Sequence, residues 1–497
     1  MNISKNKTYW FYYPQLLKYV LILITGFTSL STVSGQPRKE IVIYGKWTPE
    51  IRKALPDNFS LEVYRNILGI DSNVNQTYQV KVSANTFMVK IKPKADFVYF
   101  GFKGFPVDSW VGLTLARPGD SLYFDIKRKD DFHFKSNNEV LYTCQVELKK
   151  ANVPVNGTKP FHNSDTGIVN YLIFKRDSIL KDLDRILLKY QQQLPPDLLA
   201  ILKINSYSEL NRGYITSLSV IIQNKTYSQT EENLAVTAIN ERYQKNKPPV
   251  DSSLITNSIS YAPYLIELER AWNGLHSDTS NFKQDRFERT FKAISSNYSG
   301  LLRQKILTVF FMSFFNQSYT APSDLRSIIG EVTDYPYQNI LTGLLHSKTN
   351  GNRAYPFKLQ SYDGRYYTLD DFKGKVMICK FWFYGCSGCA MEEKELQPIR
   401  ERYKNNPNVV FISVNVDYNR KLWKMGLDKG IYSSQEELNL HTNGMGYRHP
   451  MLDFYNYQSF PQLLLVDKNS SIITSSPVRI TDEKSLLALD ELIRTHL

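Results

Sequence analysis

The hydrophobic period of this chain changes twice, and that succession limits what it can fold into more than any other feature. From about Glu40 to Lys135 apolar residues alternate with polar ones, as at Tyr78, Val80 and Val82, at Phe87, Val89 and Ile91, and at Leu122, Phe124 and Ile126. A period of two, with turns such as Pro118-Gly119-Asp120, predicts half-buried strands in an antiparallel sheet or sandwich. From about Thr166 to Leu345 the spacing becomes helical, with Ile179, Leu180, Leu183, Ile186, Leu187 and Tyr190 on one face. Further helices are expected near Glu231–Gln244, Leu265–Trp272 and Leu301–Phe315; the last is apolar nearly all round and belongs at the centre of a bundle. Beyond the polar, turn-rich stretch Ser347 to Asn352, strands and helices alternate: strand Val376–Phe383, helix Ser387–Tyr403, strand Val409–Val416, a helix around Leu422, strands Leu463–Val466 and Ile472–Ser475, helix Glu483–His496. Such alternation implies a largely parallel central sheet with helices on both faces. The expected architecture is multidomain: residues 1–35 an export segment, 36–150 an N-terminal antiparallel β domain, 151–345 a middle α-helical region, 346–353 a linker, and 354–497 a C-terminal α/β domain.

The export segment rests on order. Lys5, Lys7 and Lys18 lie in or before the apolar stretch Tyr19 to Phe27, and a Ser/Thr-rich segment then ends at Val33-Ser34-Gly35. Basic, apolar and small residues in that order form a secretory signal, cut before Gln36. The alternative is an uncleaved membrane anchor, although the apolar run is short of the ~20 residues a span needs. Either reading puts the rest of the chain outside the cytoplasm, in the periplasm or cell envelope. The charge balance of 61 Lys plus Arg against 48 Asp plus Glu is spread along the chain, with no basic tract, so nucleic acid is not an expected partner. With 42% hydrophobic and 22% charged residues, the composition excludes disorder and low-complexity scaffolds.

Three of the four cysteines fall within eleven residues, and two of them form Cys386-Ser387-Gly388-Cys389 where an apolar strand gives way to a helix. A helix N-terminus offers unpaired N–H groups and the positive end of its dipole, which favour a thiolate at Cys386 and make it the nucleophile. Cys389, one turn on, is placed to attack a mixed disulfide formed at Cys386. The competing use of this spacing is half of a zinc site. Zinc wants four ligands, the chain has no second pair at zinc spacing, and His441 and His449 are the nearest imidazoles, so no metal or other cofactor is expected. Cys379 and Cys144 read as buried, inert thiols.

These residues resemble the thioredoxin fold, and within it the TlpA/ResA-like thiol–disulfide oxidoreductases of bacterial envelopes. The resemblance rests on the segment from Tyr366 to Lys375, on Lys380-Phe-Trp-Phe-Tyr-Gly-Cys-Ser-Gly-Cys389, on Glu392 in the following helix, and on Phe460-Pro461-Gln-Leu-Leu-Leu-Val-Asp467. It covers roughly 354–497, while the upstream regions are similar in arrangement to N-terminal extensions of such proteins. It implies a thioredoxin-like C-terminal domain, catalytic Cys386 and Cys389, a cis-proline at Pro461, substrate contacts by Trp382, Phe460 and Pro461, and Glu392 as proton acceptor for Cys389. It further implies a disulfide-containing protein substrate and a membrane or soluble thiol reductant. A solvated first-turn acid is the plainer reading of Glu392, and an ordinary trans proline that of Pro461. Lys380 stands where thioredoxins carry a buried acid, so it is expected to seek a carboxylate, Glu392 first. Gly385 replaces the usual tryptophan and is expected to leave Cys386 more open. A thiol peroxidase, and an envelope scaffold with an accessory redox domain, are the alternative functions.

Overall fold

The computed structural model describes residues 39–50, 58–64, 76–81, 85–103, 113–128, 131–152, 167–223, 227–245, 253–277, 282–317, 320–476, 480 and 482–497. The expected export segment lies outside the described residues. Among those residues no helix is long and apolar enough to cross a membrane.

The N-terminal strands are β1 (Ile41–Trp47), β2 (Asn58–Tyr64), β3 (Gln76–Lys81), β4 (Thr86–Ile91), β5 (Val98–Lys103), β6 (Thr114–Ala116), β7 (Ser121–Arg128) and β8 (Asp131–Ser136). They form two four-stranded sheets, ordered β4-β1-β7-β8 and β3-β2-β5-β6. Edge-to-face contacts of Phe102 with Phe87 and Phe124, at 5.8 and 5.9 Å, join the two inner faces. Gly45 sits where the Phe87 ring presses on β1: a Cβ there would lie 1.9 Å from the ring. One pair departs from the antiparallel expectation, since β1 and β7 run parallel with Val42 opposite Ser121. The chain leaves β1 to build the other sheet and returns beside it in the same direction, a long crossover that alternation alone does not reveal.

The strands and the helices that follow share one continuous core, from Ile41 to Leu344. The expected boundary at 150 therefore falls in the last turn of a helix, Glu139–Ala151, packed into that core. At the centre of the bundle lies the Gly300–Phe314 helix, with Ile306, Leu307, Phe310 and Phe311 buried. So is Lys305, whose Nζ donates to the backbone oxygens of Thr256 and Ser258 at 2.7 Å each. Two donations fill the two N–H bonds of a neutral amine, and burial pushes its pKa down to about 7.

The C-terminal domain has its own cores, built from Ala354 onward. Its strands are β9 (Lys358–Ser361), β10 (Tyr366–Thr368), β11 (Val376–Trp382), β12 (Val409–Asn415), β13 (Leu438–His441), β14 (Gln462–Val466) and β15 (Ile472–Thr474), ordered β10-β9-β13-β12-β11-β14-β15. The expectation of a largely parallel sheet needs correction. Only β11–β12 and β12–β13 are parallel, and β9, β10, β14 and β15 pair antiparallel. The parallel pairs are the ones joined through helices; β14 and β15 form a short hairpin. Alternate residues of β11 serve opposite cores: Val376 and Ile378 meet the Ser387–Tyr403 and Glu483–Arg494 helices, while Met377, Cys379 and Phe381 meet the Pro450–Phe454 side.

The segment expected to be a linker, 346–353, is structured. His346 to Lys348 close the Tyr335–Lys348 helix, and the backbone of Gly351 to Arg353 then pairs alongside β15.

Lys305 gives a prediction. With a folded pKa near 7 against 10.5 in the open chain, the unfolded state holds the extra proton between those values. The cost of burying the amine is full below pH 7 and fades as pH rises toward 10. The stability difference between wild type and Lys305→Met, from urea unfolding, should therefore move in favour of wild type between pH 7 and 10; a difference independent of pH would refute it.

Candidate active site

Strand β11 is buried along its whole length and ends against the turn Phe383-Tyr384-Gly385. Gly385 has φ +93°, a conformation that suits glycine, and a Cβ there would meet nothing within 4 Å, so backbone shape rather than space selects it. The chain then enters the Ser387–Tyr403 helix with Cys386 as its N-cap residue, and the Cys389 amide donates to Cys386 Sγ at 3.1 Å. Cys386 and Cys389 are joined as a disulfide, with Cα atoms 5.2 Å apart. A sulfur at this position receives a helix-end N–H and the positive end of the dipole, which lowers a thiol pKa in the reduced form.

Cys386 is 5% exposed, which corrects the expectation of an open nucleophile. The space beside Gly385 stays open, and Tyr432 packs the turn from the other side: its Oη accepts from the Gly385 amide at 3.1 Å, and its ring stacks on Trp382 at 5.3 Å. Tyr384 donates its amide to Asp417 Oδ2 at 2.9 Å, fixing the other side of the turn. Trp382, expected to contact substrate, is 1% exposed; its Nε1 donates to Ser413 Oγ at 2.7 Å and its ring lies against Gly426. It supports the dithiol from beneath and has no surface to offer a partner.

The Phe460–Pro461 peptide is cis. In register Phe381 faces Gln462, so Pro461 lies level with the end of β11, where the chain turns toward Cys386. Phe460 is half-buried against the disulfide cluster and meets Phe383 edge to face at 6.1 Å. Phe383 is 37% exposed, so the two rings put apolar surface beside the dithiol. Phe383 was not among the residues expected here.

Glu392 is buried one turn past Cys389, with Lys380 and Tyr457 in its electrostatic surroundings. It is not the residue Lys380 binds. The Lys380 ammonium pairs with Glu393 and, at 2.7 Å, with Glu437, while Arg400 bridges the same two carboxylates at 3.0 Å each. Positions three and four beyond Cys389 both face the sheet, and the longer step wins because it also reaches Arg400. Two cations and two anions, all at most 8% exposed, make a buried cluster of zero net charge. Burial still holds the Lys380 pKa below the lysine range, with Glu437 opposing the shift. Glu437 also accepts from Ser433 Oγ at 3.1 Å, which ties down the segment that carries Tyr432.

The remaining candidates are engaged inside the protein. His441 Nε2 lies 2.9 Å from the Asp417 carbonyl and its ring stacks on Trp423; His449 Nδ1 accepts from the Met451 amide, and burial pushes its pKa down to about 4. Cys379 and Cys144 are buried, and burial raises both thiols, Cys144 to about 12.

A strand, a helix capped by Cys386, a Cys-x-x-Cys disulfide and a facing cis-proline define the C-terminal domain as a thioredoxin fold. In agreement, residues 350–479, about a quarter of the chain, match the AhpC/TSA family model. Among solved structures, the chain is similar to the thioredoxin domain of a thiol-disulfide oxidoreductase from Bacteroides vulgatus (22% identity, 29% of this chain and 98% of that one, TM-score 0.26). It is also similar to a thiol:disulfide interchange protein from a Bacteroides species (23%, 30% and 92%, 0.26) and to a thiol-disulfide oxidoreductase from Bacteroides fragilis (20%, 28% and 99%, 0.25). No curated protein matches the chain.

The charge cluster yields a double-variant prediction. Lys380→Met strands a carboxylate and should cost about 3–5 kcal/mol, the range for breaking a buried ion pair. Lys380→Met with Glu393→Leu restores neutrality and should recover most of that loss, whereas Glu392→Gln should cost less than Glu393→Gln. Urea unfolding decides; a double variant no more stable than Lys380→Met would contradict the cluster's role.

Proposed function

We propose that this protein is an extracytoplasmic thiol–disulfide oxidoreductase that reduces disulfides in partner proteins. The observation that carries the reading is the Cys386–Cys389 disulfide, with Cys386 Sγ at a helix N-cap and the apolar Phe383–Phe460 surface and cis-Pro461 beside it. In the reduced enzyme the Cys386 thiolate attacks one sulfur of a substrate disulfide, and the other leaves as a thiolate that takes up a proton. Glu392 accepts the Cys389 proton, and the Cys389 thiolate attacks Cys386 Sγ, forming the internal disulfide and releasing the second substrate thiol. Two electrons and two protons from a membrane or soluble thiol reductant restore the dithiol. The backbone around Phe460 and Pro461 pairs with an extended stretch of substrate. Placement in the periplasm or cell envelope is supported by the basic, apolar and small residues preceding Gln36, which also allow membrane association if the segment stays uncleaved.

The AhpC/TSA match keeps thiol peroxidase as a second reading. That chemistry wants a lone peroxidatic cysteine with Thr or Ser a turn before it. Here the positions before Cys386 are Trp382 to Gly385, and the disulfide partner is three residues away. Reduction of a protein disulfide such as insulin, with no consumption of hydrogen peroxide, is the outcome expected; the reverse pattern would favour the peroxidase.

Iodoacetamide given to the reduced protein near neutral pH should label Cys386 before Cys389, because the helix end stabilises its thiolate. Cys389→Ala should accumulate mixed disulfides at Cys386. Peptide mass spectrometry reads both, and first labelling of Cys389 would reverse the roles.

A further inference from the structure

Between β13 and the cis peptide, residues 442–460 form the chain segment that delivers Phe460 and Pro461 to the dithiol. This segment does not rest on the C-terminal domain alone. Arg448 reaches the N-terminal sandwich and forms an ion pair with Glu62 of β2, its Nη2 donating to Oε2 at 2.8 Å and its Nε in close ionic contact with Oε1. Glu62 is 2% exposed and also accepts from Tyr64 Oη, so its carboxylate is held from both domains. Eight residues further on, Asn456 Nδ2 donates at 2.6 Å to the carbonyl of Met312, in the central helix of the bundle. Between these points the Phe454 ring meets His346 edge to face at 5.8 Å. Three independent contacts, from the sandwich, the central helix and the last upstream helix, thus seat one segment, and four residues after Asn456 that segment becomes the Phe460–Pro461 peptide.

We propose that the upstream region positions the substrate-binding side of the redox site, with Glu62 and Arg448 as its principal positioning residues. The inference rests on the oxidoreductase reading. A carboxylate as buried as Glu62 needs a cation, and the chain supplies it from 386 residues away. The Nη2–Oε2 hydrogen bond, with Nε held against Oε1, limits the orientation of Arg448 as well as its distance. Substrate pairing at Phe460 and Pro461 depends on their placement to within an ångström or so. The nucleophile, in contrast, is fixed by contacts within its own domain: Tyr432, Asp417 and the helix cap. Loosening the seat should therefore weaken protein-substrate binding and leave the reactivity of Cys386 alone.

The test uses full-length Arg448→Met, Glu62→Gln and the double variant, which leaves neither charge stranded if a single one impairs folding. For insulin reduction, KM is expected to rise about fivefold with kcat little changed, within the range for mutations acting through packed networks. The double variant should resemble the singles rather than multiply their effects. The iodoacetamide rate at Cys386 should match wild type. Unchanged KM, or a KM effect matched by an equal fall in the alkylation rate, would overturn the proposal. Hydrogen exchange separates this from the function itself: even if the wild type reduces no protein disulfide, amides in residues 446–457 should exchange faster in the variants. Exchange equal to wild type would sink the positioning role on its own.

Discussion

A single buried ammonium organises the redox site. Lys380 lies in the middle of the sheet, on the face covered by the Ser387–Tyr403 helix, where an unpaired charge costs several kcal/mol. Its presence requires carboxylates, and the carboxylates that arrive come from two places: Glu393 on the helix that begins at Cys386, and Glu437 in the segment before β13. Two acids against one lysine would leave an excess negative charge, and Arg400, two turns along the same helix, removes it. Satisfying one strand residue therefore sets the rotation of the cysteine-bearing helix and ties Glu437 beneath it. The segment so tied carries Tyr432, which covers Trp382 and receives the Gly385 amide. The aromatic cover of the dithiol is thereby linked, through Glu437 and Ser433, to the electrostatics of Lys380.

How much of this was legible in the sequence depends on the distance over which each residue acts. The dithiol was readable because the strand, the turn and the helix cap lie within a dozen residues, and local chemistry decides their arrangement. The seven-residue apolar β11 and the all-round apolar helix near residue 306 were readable for the same reason. Lys380 was recognised as needing an acid, but its partner is one position past the one expected, since Glu392 and Glu393 both face the sheet and only tertiary contact with Arg400 separates them. No sequence signal marks Tyr432 or Glu437. They stand in a polar stretch without period, and what recommends them is contact with residues 37 or more positions away. Strand direction was similarly hidden: alternation is identical in parallel and antiparallel strands, so the β1–β7 pairing depends on a crossover. The burial of Trp382 was hidden too, because an aromatic residue beside a reactive cysteine has the same sequence appearance whether it faces a substrate or fills the core.

The boundary near residue 350 separates two bodies of different construction. Upstream, sheets and helices merge into one core; downstream, the sheet has separate cores on its two faces. The contacts that join the bodies near the site are chiefly polar: an arginine on a buried glutamate, an asparagine amide on a helix carbonyl, and the Ser475 hydroxyl donating to the Ser347 carbonyl. Polar junctions of this kind specify orientation more than they add stability, because each bond replaces one to water and loses its value when the angle changes. An apolar junction would tolerate sliding.

That difference bears on what a redox domain gains from three hundred preceding residues. Chemistry at Cys386 needs a helix cap and a covered sulfur, and the C-terminal domain provides both within its own core. Selecting a substrate needs something else, a rigid edge against which an extended segment aligns. The free side of that edge is the cis-proline connection, 20 residues of mostly irregular chain between β13 and β14. The domain's own core buries Met451, Leu452, Tyr455 and Tyr457 of this stretch, and any freedom left in the residues around them would draw on the binding energy of every substrate. Fixing Arg448 in the sandwich and Asn456 on the bundle moves that entropic cost from the encounter with substrate to the folding of the chain. In the proposed arrangement the upstream region belongs to the recognition apparatus, while Cys386 and Cys389, which carry the sulfur chemistry, lie in the C-terminal domain.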